Sequence, residues 1–162
     1  MTTPFLLPTA ELVAQAWIST IANLPAQVGS TLPPDDTQWA STGFVTVAVV
    51  GGNPDPDVPI KTSVMQVDCW AVKPGSNKPP WQQAASCAGQ IAAACYDRRL
   101  GYFGRPLVIS VNGVDYPGAN VMSARAMTEP RRAYGDTADY ACYTFDLQLV
   151  WRAVGTDLFP TD

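Results

Sequence analysis

The chain has no histidine among its 162 residues. That removes the commonest general base and metal ligand, so Ser–His, Cys–His and His–metal chemistry are all excluded. It has four cysteines, Cys69, Cys87, Cys95 and Cys142, with no Cys-x-x-Cys spacing and no partner to complete a zinc site. Cys87 and Cys95 are eight residues apart on one expected helix, about 12 Å, too far for a bridge. They are read as buried thiols of a reduced protein. No apolar run approaches the roughly 20 residues of a membrane span. Met1-Thr-Thr-Pro-Phe-Leu-Leu-Pro8 lacks the basic start and long apolar core of a secretion signal. The expected site of synthesis is the cytoplasm, with no membrane contact.

Positive charge is also missing from a long stretch. No Lys or Arg precedes Lys61, while Glu11, Asp35, Asp36, Asp55 and Asp57 give that part a charge of −5. Between Arg98 and Arg132, six arginines stand against Asp115 and Glu129, a charge of +4. Such polarity suits a protein whose acidic surface meets its own basic surface on a neighbour, or charges that mix once the chain folds. The net charge of −4 argues against tight nucleic-acid binding.

With 47% hydrophobic residues, the chain supports one well-buried core. Residues 9–24 have helical periodicity through Val13, Trp17, Ile21 and Leu24, with Thr9 as N-cap and Pro25 as stop. Phe44–Val50 reads as a strand covered on both faces. The loop 51–59, with two glycines, three prolines, Asp55 and Asp57, is expected to leave the sheet. In 63–72, Met65, Val67, Cys69 and Ala71 share one face. A small-residue helix over about 79–97 places Ala84, Ala88, Ile91 and Cys95 on one side, close to the sheet. Gly101 is expected to end it in the left-handed conformation. Asn112-Gly113 between apolar runs 106–111 and 114–116 signals a hairpin. Another strand covers 121–127, and 128–139 is a polar loop. The last strand alternates Ala141, Tyr143, Phe145, Leu147, Leu149 and Trp151 against polar positions that must face solvent or a partner. These elements define an α+β domain over 1–153, an antiparallel-rich mixed sheet with two helices on one face, followed by a short tail 154–162.

No residue set carries catalysis, and none is assigned to a metal or cofactor. Asp68 and Asp146 lie on polar strand faces, as an acid–base pair or as solvated carboxylates. Gly101-Tyr-Phe-Gly104 is too short for a phosphate loop. Arg131-Arg132 beside Tyr134 is the densest basic-aromatic cluster, open to protein contact, solvent or a nucleic-acid backbone. Trp39 reads as an interface anchor, since tryptophan is enriched at hot spots. The candidate subunit or tube interface is therefore Trp39, Asp55, Asp57, Arg131, Arg132 and Tyr134.

The strand Thr62–Val72 leading into helix 81–97, the N-terminal helix Glu11–Leu24 and the final strand Tyr143–Ala153 occur in an order that resembles the tail-terminator (tail-completion) proteins of long-tailed, siphophage-type bacteriophages. The proline-rich loops 51–59 and 73–80 are similar to those of terminators from phages of high-GC actinobacterial hosts. The resemblance implies a virion protein at the tail–neck junction, made in the host cytoplasm. It implies a self-assembled ring, usually a hexamer, that caps the tube of major tail protein, stops its polymerisation and presents the surface for head joining. Its partners would be the tube and a head-closure or connector protein, with DNA only passing through the pore. The alternatives are another neck component, a carboxylate enzyme with a concave pocket, and a monomeric binding module.

Overall fold

The computed structural model describes residues 8–133 and 140–154. The fold is α+β: helices α1 (Ala10–Ser19) and α2 (Trp81–Tyr96) pack on one face of a seven-stranded sheet. The strands are β1 (Gln27–Gly29), β2 (Phe44–Pro54), β3 (Lys61–Val72), β4 (Pro106–Val111), β5 (Val114–Ala126), β6 (Arg131–Arg132) and β7 (Tyr140–Val154). Their order is β1-β2-β3-β7-β5-β4, with β6 also on β7. Only β1–β2 is parallel, so the sheet is mixed but largely antiparallel.

The β3–β7 pair forms the spine, in register from Lys61↔Trp151 to Val72↔Tyr140. Met65, Val67 and Cys69 of β3 and Phe145, Leu147 and Leu149 of β7 point to the helix side and are fully buried. From α2, Cys87, Ala88, Ile91 and Ala94 meet them, while Ala84 packs with Ala71 and Ala141. Their small size brings the helix close to the sheet. Thr9 caps α1 as expected, accepting from the Leu12 N–H at 3.3 Å. The helix stops at Ser19, short of Leu24, because Ser19 and Thr20 turn their hydroxyls onto the carbonyls of Gln15 and Trp17, and Asn23 takes a positive φ of 62°. Both edge strands, β1 and β4, contact α1, so the sheet curls around that helix.

Several expectations are corrected. The 51–59 segment does not leave the sheet at Gly51, because β2 continues to Pro54 opposite Lys61. A bulge between Val49 and Gly51 and a φ of 125° at Gly52 let the strand bend and carry on. Pro54 is tolerated because it ends a strand whose other side has no described partner beyond Thr46. Nor is β2 covered on both faces along its length: Ala48, Val49 and Val50 are exposed. Strands 114–116 and 121–127 are one long β5, bent by two bulges that pass Pro117-Gly118 and Met122. Part of the polar loop 128–139 is strand β6. Gly101 is not left-handed. It is required by crowding, since a Cβ there would run into the Phe103 ring and the Ala94 carbonyl. The Asn112-Gly113 hairpin is as expected, both residues at positive φ, 52° and 78°.

Candidate interaction surface

Trp39 does not reach the surface. A short 3₁₀ turn at Asp36–Gln38, capped by the Asp35 carboxylate, drives the indole inward to 0% exposure. It packs against Phe44 and Tyr140, with ring centroids at 6.2 and 5.7 Å, and its Nε1–H donates to the Pro33 carbonyl at 3.3 Å. In the folded chain Trp39 belongs to a second small core with Phe44 and Val72, and is withdrawn as an interface anchor. Hydrogen bonds from the Thr37 hydroxyl and N–H hold the Asp35 carboxyl below its ordinary range.

Asp55 and Asp57 sit at the tip of the β2–β3 hairpin and are exposed. Asp55 Oδ1 accepts from the N–H groups of Asp57 at 2.8 Å and Val58 at 3.2 Å, which closes the turn. Asp55 thus shapes the tip and Asp57 supplies its outward charge. Arg131 and Arg132 lie elsewhere, paired with Thr144 and Tyr143 of β7. From Thr144 to Trp151, the partner of Lys61 at the hairpin base, is seven steps along β7, about 24 Å. The structure therefore separates the acidic and basic candidates within one chain. Arg132 lies on the helix side over the Trp81 ring at 4.4 Å, and Arg131 donates to Thr128 Oγ1 at 3.3 Å. Tyr134 lies outside the described residues.

Among the described residues the single ion pair is Arg99–Asp97, at 2.9 Å. The side-chain hydrogen bonds from Arg99, and then its backbone N–H, lower the Asp97 pKa, and the same side-chain bonds raise that of Arg99. Arg98 and Arg105 instead lie over the rings of Phe103 and Tyr102, at 5.5 and 4.3 Å. Arg125, Arg131, Arg132 and Arg152 are exposed, and among the described residues no carboxylate lies within salt-bridge distance of them.

The sheet face away from the helices carries Gln66 and Asp68 of β3, Asp146 and Gln148 of β7, and Arg125 of β5. Gln66 faces Asp146 directly, and Gln66 Nε2–H donates to Asp68 at 3.1 Å. Asp68 and Asp146 therefore lie diagonally rather than opposite one another, with an amide between them. The Cys69 thiol is pushed well up by its hydrogen bond to Cys87 and by burial, while burial raises Cys95 to about 11 and Cys142 to about 12. These are neutral packing groups at physiological pH, not nucleophiles. Among the described residues no three of Cys, Asp and Glu group as metal ligands. Among the described residues no helix is long and apolar enough to cross a membrane.

Periodicity found the faces of β3, α2 and β7, but not the placement of Arg105 and Arg152 at the hairpin end of the sheet. Only the strand register reveals that.

No protein-family model matches the chain, and no curated protein matches it. Among solved structures, one known only by a sequence label is similar at 16% identity over 90% of each chain, with a TM-score of 0.36. At that level of superposition the likeness carries no argument about fold or function.

Proposed function

We propose that this protein is a structural component of a phage tail, a ring-forming terminator. It caps the tail tube, ends tube polymerisation and offers the surface to which the head is joined. The observation that carries this reading is the segregation of unpaired charge. An acidic hairpin tip and a set of arginines with no ion-pair partner among the described residues occupy separate parts of one chain, which holds a single described ion pair. Charges arranged this way are satisfied by another molecule, and a second copy supplies both signs. The order of elements supports the same reading, with a long strand feeding a small-residue helix and a closing strand beside it. Binding alone is the mechanism. Head-to-tail contacts use two different surfaces per subunit and close when the rotation between neighbours divides a full turn. Each contact must bury more than about 1,000 Å² to hold. DNA passes through the pore without strong phosphate contacts, which an acidic or neutral lining ensures.

The test is native mass measurement of the full chain, alone and with purified tubes of the major tail protein. A ring, free or on the tube end, with tube growth halted at that end, is the expected result. A protein that binds a head-side connector but not the tube is instead another neck component. A monomer that binds neither overturns the reading.

A further inference from the structure

Strand register sorts the exposed charges by flank as well as by end. At the level of Asp55, whose N–H donates to the Ile60 carbonyl at 3.4 Å, a single row crosses the sheet. Ile60 precedes Lys61, the partner of Trp151. Arg152 follows Trp151 and faces Asn120, which in turn faces Pro106 with Arg105 beside it. The acidic hairpin therefore stands on the β2–β3 flank of this end and Arg105 on the β4 flank, with Arg152 between them on the middle strand β7. From Asp55 to Pro106 is four strand spacings, about 19 Å along the sheet. Arg105 is held in place, its guanidinium on the Tyr102 ring at 4.3 Å and the Tyr102 hydroxyl donating to the Pro106 carbonyl at 3.3 Å. Opposite it, the Asp55 turn holds Asp57 outward at the hairpin tip.

Resting on the ring reading above, we infer that the side-to-side joint places the Asp57 hairpin tip of one copy against Arg105 and Arg152 of the next. A closed ring relates neighbours by rotation with no rise along its axis, so joined patches must stand on opposite flanks at one height. The joint sets the strands along the axis; Asp57 and Arg105 then meet that condition, and Arg152 lies on the same row two strands in from β4, about 10 Å. Arg131 and Arg132 do not. Pairing them with the hairpin tip would add about 24 Å of rise per subunit and give an open helix. They are left for an axial partner, the tube or the neck.

The test uses charge reversal in the full chain, with assembly read by native mass measurement and sedimentation, in the presence of tail tube where the ring needs it. Asp57→Arg and the double variant Arg105→Asp with Arg152→Asp should each raise the concentration for half-assembly at least about tenfold at low salt, and less at high salt. The triple variant carrying all three reversals should assemble as the wild type does, which also shows that the single losses are not misfolding. Wild-type assembly by both reversed proteins, failure of the triple variant to recover, or loss of side-to-side assembly through Arg131→Glu with Arg132→Glu alone would each overturn the joint while leaving a ring. A wild-type protein that never forms a ring, in solution or on the tube, removes the ring reading itself and the joint with it.

Discussion

Trp39 shows how a single residue can be misread from its neighbours. Its flanks are polar, Asp35-Asp36-Thr37-Gln38 before it and Ser41-Thr42 after, so the sequence pattern places it in a wet loop. The Asp35 cap tightens that stretch into a 3₁₀ turn, which points the indole at Phe44 and Tyr140. Trp39→Ala should therefore cost about 3–5 kcal/mol of stability, measured as a lower urea midpoint, rather than altering a surface contact. The thiols give a second test at this scale. Burial raises Cys95 from 9.0 to about 11 and Cys142 from 9.0 to about 12. Between pH 9 and 11 the unfolded chain releases these protons while the folded chain keeps them. Stability is thus fully present below pH 9 and falls as pH rises toward 11–12. Urea titrations across that range should show the decline, and it should shrink in a Cys95→Ala, Cys142→Ala variant.

At the scale of elements, the apolar alternation of β3 and β7 and the small-residue stripe of α2 were legible because each sits against a continuous core and has a clear period. The same logic failed at β2. Its Gly-Gly-Asn-Pro run reads as a break, yet a bulge and one positive-φ glycine carry the strand through, something no periodicity reports. Gly52→Ala tests this. A Cβ there would collide with the Thr62 carbonyl and the Ser63 Cα, at a φ that alanine avoids. The hairpin should lose at least about 1 kcal/mol, seen as faster amide exchange at 51–62 with the rest of the sheet unchanged. Ala88→Leu probes the helix contact. Ala88 is fully buried between α2 and the sheet, so three extra carbons force the helix away, at about 1–3 kcal/mol. Thermal unfolding should show the loss, while the outward-facing Gln82→Leu should leave the melting temperature nearly unchanged.

For the whole molecule, the charge asymmetry was plain in the sequence, but its geometry was not, because height and flank depend on which strands pair. On the terminator reading proposed above, two surfaces compete for the role of contact: the charged ends, and the open sheet face bearing Asp68 and Asp146. Among the described residues the ends hold exposed ions with no ion-pair partner, which favours them for protein contact. The face is acidic and amide-rich around Gln66, Asp68, Asp146 and Gln148, with Arg125 at its side, and suits a lining that DNA slides past. Carbodiimide labelling of carboxylates separates the two. In the free protein, Asp57, Asp68 and Asp146 should all react. On the capped tube, Asp57 should lose most of its labelling while Asp68 and Asp146 keep theirs, with peptide mass mapping as the readout. Loss of labelling at Asp68 and Asp146 with Asp57 still reactive would make the open sheet face the docking surface, and the hairpin a spectator.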